Sequence, residues 1–376
     1  MLSARGRRAA PVMPANVSPE YKRAKEAFQR ARDPAERLAC LQEMLRTVPK
    51  HKGTEHLQAE IKTKIKELTE ELAGPKKGAA RTAPTHTIRP EGAAQVALVG
   101  PPNSGKSSLH VRLTGSHAET GPYPFTTQVP LPGMLLHRDV QFQLVDLPPI
   151  SPEHMEAWMP NALQGARAAL LVVDLSVAGC VEAVAVMRER LEAKRITLTD
   201  DWGGALAPGL AALEALGEAP QPQAVPVAAG AENEDGGDAL DDPFHIRLPT
   251  LLVAGKCDLV HDPEEIAALE ELLDVRYPAI AASAKTGEGL EGIGAMLFRG
   301  LGVVRVYTKI PGHPPDMSRP FTVFRGQTVH DVARLVHREM AETLKFARIW
   351  GSGRFDGQQV GRDHVVSDGD VVELHT

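Results

Sequence analysis

The sequence predicts an α/β fold, a mainly parallel sheet with flanking helices, set between an N-terminal helical region and a small C-terminal α+β module. Three observations predict it. Short apolar runs (QVALV at 95–99, VQFQLV near 140–145, AALLVV at 168–173, TLLVA at 250–254) recur with helical stretches between most of them, the alternation of a parallel sheet covered by helices. A glycine loop follows the first run at once, and a helix follows the loop. From Arg305 the character changes to a strand pair, one helix and further short strands within about seventy residues.

Residues 1–18 are expected to be a flexible start. MLSARGRRAAPV has arginines but no apolar stretch of signal-peptide length, which leaves a short transit peptide as the lesser alternative, and Met13 opens a segment that reads like a natural start. Residues 19–73 read as helical. Asp33-Pro34-Ala35-Glu36 opens one helix, with Asp as N-cap and Pro in the first turn. Thr54 caps another, whose apolar positions Leu57, Ile61, Ile65, Leu68 and Leu72 keep helical spacing. Gly, Pro and Thr mark 74–92 as a linker.

The sheet domain spans 93–303 and carries an acidic insertion at about 200–245. Residues 200–242 hold ten acidic residues and no Lys or Arg; ALAPGLAALEALG reads as a short helix and the remainder as mobile chain. In the module at 304–376, VRVYTKI is a strand and Pro320–Phe324 begins a second extended piece. Thr328–Leu344 is a helix with Val332, Leu335, Val336 and Met340 on one side, and Ala347–Trp350 and Val371–Leu374 are short strands.

Net charge is −6 over 376 residues, but residues 1–90 hold 19 Lys/Arg against 10 Asp/Glu. A basic N-terminus on an acidic body points to a polyanionic partner or to a set of solvated helix faces. No apolar run is long enough to span a membrane. Three scattered cysteines, Cys40, Cys180 and Cys257, offer neither a disulfide framework nor a metal-ligand spacing, which fits a reducing cytoplasm.

GPPNSGKSS at 100–108 matches G-x4-G-K-S/T in the strand–loop–helix setting the motif needs. Such a loop wraps backbone N–H groups around a β-phosphate. This assigns Asn103, Ser104, Gly105, Lys106, Ser107 and Ser108 to phosphate binding, Lys106 to charge neutralisation during reaction, and the Ser107 hydroxyl to Mg²⁺. Asp146, ending a strand in LVDLPP, stands where Mg²⁺ is held through water. GKCD at 255–258 occupies the place of N-K-x-D: Lys256 belongs to the base loop, and the Asp258 carboxylate is matched to the two donors of guanine N1 and N2. Ser283, Ala284 and Lys285 form the loop whose backbone meets guanine O6. Four motifs in this order favour GTP and GDP over adenine nucleotides. A reading as an ATP-using kinase or ATPase rests on the phosphate loop alone and makes Asp258 incidental.

TGPYPFTTQVPLPG, between the phosphate loop and Asp146, resembles the switch of the Obg and DRG (developmentally regulated GTP-binding) branch of GTPases. VRVYTKIPGHPPD, PFTVFRGQTVHDVARLVH, FARIWG and VGRDHVVSDGDVVEL resemble a TGS domain of the DRG subfamily. HKGTEHLQAEIKTKIKELTEEL resembles that subfamily's N-terminal helical hairpin. The resemblance covers nearly the whole chain apart from residues 1–16 and the acidic insertion. It implies a β-grasp-like TGS fold for 304–376, a switch threonine at Thr127 that completes the Mg²⁺ shell and serves catalysis, and contact with RNA or the ribosome. It implies a slow GTPase acting as a switch in ribosome or translation biology.

Three departures qualify that expectation. Pro149 replaces the glycine of D-x-x-G and has no N–H for a γ-phosphate. Gly255 replaces the asparagine of N-K-x-D. Ile150 stands where signalling GTPases orient water with glutamine, although an apolar residue there is the pattern of this branch. Pro149 and Gly255 keep open a second reading, a nucleotide-gated binding module with little or no hydrolysis. Asn103 offers an oxygen for K⁺ beside the phosphates, or packs within its loop.

Overall fold

The computed structural model describes residues 18–31, 33–49, 54–73, 88–116, 129–152, 154–214, 242–259 and 263–376. The expected flexible start, most of the linker, the Tyr123–Thr127 switch segment and the acidic stretch 215–241 lie outside the described residues.

The described residues form two bodies. The first holds the N-terminal helices and residues 242–245. It contains three helices, α1 (Pro19–Arg30), α2 (Pro34–Thr47) and α3 (Glu55–Ala73), so a helix precedes the two whose starts the sequence marks. Asp33 caps α2 by accepting from the N–H groups of Ala35 and Glu36, an arrangement worth about 1 kcal/mol. Tyr21, Phe28, Leu41, Met44 and Ile61 make its core. Leu72, expected on the apolar stripe of α3, is 47% exposed. Phe244 packs edge-on against Phe28 at 5.8 Å.

The second body carries the sheet domain and the C-terminal module. Its elements are β1 (Ala94–Val99), α4 (Lys106–Thr114), β2 (Leu131–His137), β3 (Val140–Asp146), α5 (Met159–Gln164), β4 (Ala168–Asp174), α6 (Cys180–Glu192), β5 (Ile196–Thr199), α7 (Ala211–Glu214), β6 (Ile246–Gly255), α8 (Pro263–Leu273), β7 (Ala279–Ala282) and α9 (Leu290–Gly300). The strand order is β2-β3-β1-β4-β6-β5, with β7 also pairing β6. All pairs are parallel except β2 with β3. Every residue of β1 and β4 is buried, because helices cover both faces; this is why these strands read as continuous apolar runs. Two apolar clusters, one on each face, meet across the sheet. The short helix expected from ALAPGLAALEALG is α7, and buried Trp202 ahead of it donates its indole N–H to the Thr250 carbonyl at 3.1 Å.

The C-terminal module has β8 (Val303–Thr308), β9 (Asp316–Phe324), α10 (Val329–Val336), α11 (Arg338–Thr343), β10 (Phe346–Trp350), β11 (Gln358–Val360) and β12 (Asp370–His375). Its sheet runs β11-β10-β12-β8-β9, with β12 parallel to β8 and the other pairs antiparallel. Val306, Val329, Val332, Ala347, Ile349 and Val372 belong to a core of its own. The helix expected over 328–344 breaks at His337, whose backbone is extended and whose ring accepts from the Glu339 N–H. Within α10 the buried side is formed by Val329, Val332 and Ala333, and Leu335 lies off it at 54% exposure. Among the described residues no helix is long and apolar enough to cross a membrane.

Candidate functional site

The C-terminal ends of β1, β3, β4, β6 and β7 point to one end of the sheet, where the loops that follow them carry most of the residues singled out above. The phosphate loop leaves β1 at Gly100 with φ +157; a Cβ there would stand 2.4 Å from the Val172 carbonyl, so only glycine lets the loop lie against β4. Gly105, left-handed at φ +92, starts α4. Asn103 is also left-handed at φ 59.

Lys106 is 6% exposed. Its Nζ donates to the carbonyls of Gly100 at 3.1 Å and Pro101 at 2.9 Å. Burial pushes its ammonium down to about 8, while nearby Asp146 acts in the opposite direction. A buried cation in a glycine loop that opens a helix is a site for a polyanion.

The Ser107 hydroxyl donates to Asp146 Oδ2 at 2.6 Å. Two hard oxygen donors thus face one point beside the phosphate loop, a set that suits Mg²⁺ with phosphate oxygens and water as its other ligands. Among the described residues no group of three or more His, Cys, Asp or Glu is placed to hold a metal ion. Thr127, assigned to the same shell, lies outside the described residues.

Ser104, Gly105, Ser108, Gly255, Lys256, Asp258, Ser283, Ala284 and Lys285 line one cavity of about 640 Å³. Asp258 accepts from the Ser283 hydroxyl at 2.7 Å and lies 3.5 Å from Lys285 Nζ. The Ser283 hydroxyl bond, chief among several effects, holds its carboxyl below the ordinary value. Ser283 Oγ also accepts the N–H groups of Lys285 and Thr286, both at 3.2 Å. The base loops are therefore braced on each other, with an ionised acceptor at the cavity wall.

The D-x-x-G segment folds inward. Leu147 and Ile150 are each 1% exposed and join the apolar cluster with Met159 and Leu163. The Ile150 N–H donates to the Gly100 carbonyl at 3.4 Å. The Ile150 side chain thus points into the core.

Two residues were not singled out from sequence. Asp174 ends β4 and binds Lys256 Nζ at 2.6 Å; a strand ending in Asp, as β3 does, was its signal. His110 on α4 is fully buried beneath the site. Its Nε2–H donates to the Leu144 carbonyl at 3.3 Å, which leaves Nδ1 to accept from Ser116 Oγ at 3.2 Å. Burial pushes its imidazole down, consistent with the neutral ring those bonds need. No sequence pattern marked it.

Residues 95–200 match the family model described as 50S ribosome-binding GTPase, and residues 304–376 match the TGS domain. The fold and these matches define a phosphate-loop GTPase domain followed by a TGS domain. The chain is 26% identical over 365 residues to an uncharacterised GTP-binding protein of Methanocaldococcus jannaschii, covering 90% of this chain and 92% of that one. It is 29% identical over 353 residues to developmentally regulated G-protein 1 of Arabidopsis thaliana, covering 88% of each. A solved structure, the YchF GTPase of Schizosaccharomyces pombe, aligns over 76% of this chain and 99% of its own, with 13% identity and a TM-score of 0.48. Along most of its length the chain is similar to developmentally regulated G-proteins.

Proposed function

We propose that this protein is a slow GTPase, converting GTP to GDP and phosphate, and that it acts as a switch in ribosome- or translation-related RNA biology. The observation that supports the nucleotide chemistry is the convergence of Lys106, Ser107, Asp146 and Asp258 at one end of a single sheet. Lys106 neutralises the β- and γ-phosphates. Ser107 and Asp146 would hold Mg²⁺, which when bound adds positive charge on the same oxygens. Asp258 selects guanine by accepting from N1 and N2, a donor pair adenine lacks. By the resemblance to the Obg and DRG branch, Thr127 would complete the Mg²⁺ shell. Positioning and charge stabilisation are the main contributions a protein makes to phosphoryl transfer.

The ribosomal part rests on the description of the matched GTPase family and on the TGS domain. The TGS region holds 10 Lys/Arg and 9 Asp/Glu, so only a local patch serves RNA. Among its cations, Lys309 is already engaged, 3.4 Å from Glu373 and stacked over Trp350 at 4.2 Å. Arg319, Arg325, Arg334 and Arg338 remain candidates, Arg338 within an exposed ion pair to Glu342 at 3.4 Å, with the basic N-terminal helices.

The second reading, a nucleotide-gated binding module with little hydrolysis, draws on Pro149 and Gly255. Single-turnover GTP hydrolysis with and without ribosomes separates the two. Asp258→Asn tests the base pocket: GDP affinity should fall at least about tenfold, the cost of mispairing buried polar groups, and xanthosine diphosphate binding should improve. Unchanged GDP affinity would remove Asp258 from the pocket.

A further inference from the structure

We propose that Asp174 is a positioning residue of the nucleotide site, holding Lys256 across the phosphate loop in place of the tie that Gly255 cannot make. The inference deepens the reading of GKCD as the guanine loop and rests on it.

The loop after β6 lies close against the phosphate loop. A Cβ at Gly255 would stand 3.2 Å from the Ser104 carbonyl and 3.4 Å from that of Val173, so the two backbones meet with little room for a side chain between them. The side-chain link between the two loops comes from the next residue. Lys256 Nζ donates to the Asn103 carbonyl at 3.3 Å and to Asp174 Oδ2 at 2.6 Å. Lys256 has φ 58 and Asn103 φ 59. Both are left-handed, a conformation that a residue with a side chain keeps only when its surroundings hold it.

Asp174 is built for that task. In the pairing of β4 with β6 it lies directly beside Gly255. It is 4% exposed, and Oδ1 is occupied by the Ser176 N–H at 3.0 Å and hydroxyl at 2.6 Å. One carboxylate oxygen therefore fixes the side chain to its own turn and the other faces Lys256. Burial opposes ionisation of this carboxyl, but the Lys256 and Ser176 bonds outweigh burial and hold it below its ordinary value. Lys256, by contrast, is 40% exposed along its side chain. A lysine so exposed samples many rotamers unless a partner restrains it. Asp174 supplies the restraint and keeps Lys256 on the wall it shares with Asp258.

The charge arrangement adds a second consequence. Lys256 neutralises Asp174 near the place where the phosphates bind. Removing the lysine alone exposes those phosphates to an uncompensated carboxylate, whereas removing both charges does not. A purely structural Asp174, acting as the cap of its own turn, would show no such dependence on Lys256.

The test is release of GDP carrying a fluorescent N-methylanthraniloyl group, followed by stopped flow in the full chain. Asp174→Asn retains acceptance from Ser176 and loses the charge; release should accelerate at least about tenfold, which by a constant of 1.4 kcal/mol per decade is about 1.4 kcal/mol. Lys256→Met should release faster still, and Asp174→Asn combined with Lys256→Met should release no faster than Lys256→Met alone. Parent-like release from Asp174→Asn, or single effects that multiply in the double variant, would overturn the proposal. Should Asp174→Asn fail to fold, Ser176→Ala replaces it: release several-fold faster in the parent and unchanged in Lys256→Met supports the role, and parent-like release overturns it. Asp258→Asn in the same assay, read with xanthosine diphosphate, reports on the base loop separately. A gain in xanthosine nucleotide binding beside parent-like release from Asp174→Asn removes Asp174 while keeping the guanine loop; absence of both removes both.

Discussion

Asp139, in the turn between β2 and β3, accepts from Arg305 of the TGS domain at 3.0 Å. Tyr307 donates to the other oxygen of the same carboxylate. Arg305 also pairs with Asp368 at 2.8 Å, so one guanidinium joins the TGS domain to the hairpin that runs from the switch segment to Asp146. The Asp368 and Asp139 bonds outweigh burial and push the guanidinium above its ordinary value. Arg167 adds a second contact by stacking over Phe324 at 4.0 Å.

Asp139→Ala leaves Tyr307 and one edge of Arg305 to find new partners at a partly buried contact. The expected cost is about 1–3 kcal/mol, seen as a lower melting temperature and faster hydrogen exchange in β8. The TGS domain should survive the loss, because its core is its own. The fragment 304–376 is expected to melt cooperatively by itself; a fragment disordered by NMR would show that the domain depends on its neighbour.

Lys106→Ala should abolish tight binding of GTP and GDP, because the phosphate charge loses its buried counter-ion. Ser107→Ala should act mainly through the metal. Titration calorimetry with and without Mg²⁺ should show a weakened Mg²⁺ dependence in Ser107→Ala. If that dependence survives intact, Ser107 is not a ligand.

Ile150→Gln tests whether a glutamine could restore water orientation. Its amide would enter an apolar cluster with Leu147 and Met159, at a cost of about 1–3 kcal/mol when unpartnered. The expected result is a lower melting temperature and no faster hydrolysis. Pro149→Gly, which returns an N–H, should instead widen the difference between GTP and GDP in hydrogen exchange over 146–165. Strong GTP-dependent protection already present in the parent would show that another group senses the γ-phosphate.

Hydrolysis should run faster in K⁺ than in Na⁺ at equal ionic strength, since Asn103 offers an oxygen where a monovalent cation can offset charge redistributed in the transition state. Its left-handed backbone and exposed position at the loop leave that side chain accessible. Asn103→Ser should erase the difference. Clearly measurable hydrolysis with equal rates in the two salts would rule this out.

What the sequence determined by itself is local chemistry. GPPNSGKSS is legible because nine consecutive residues must wrap one phosphate, and β1 and β4 because burial on both faces demands unbroken apolar runs. Asp146 and Asp258 were legible as strand-end carboxylates within short motifs. β2 was not: LPGMLLH carries Pro and Gly, and as a half-exposed edge strand it shows no clean alternation. The break at His337 was hidden because apolar spacing continues through it. Only the tertiary structure decided that Lys256 meets Asp174, 82 residues away, and that Arg305 meets Asp139, 166 residues away. It also decided that Ile150 turns into the core. Such partners carry no shared periodicity or motif, because it is the sheet order and the docking of one domain on another that bring them together.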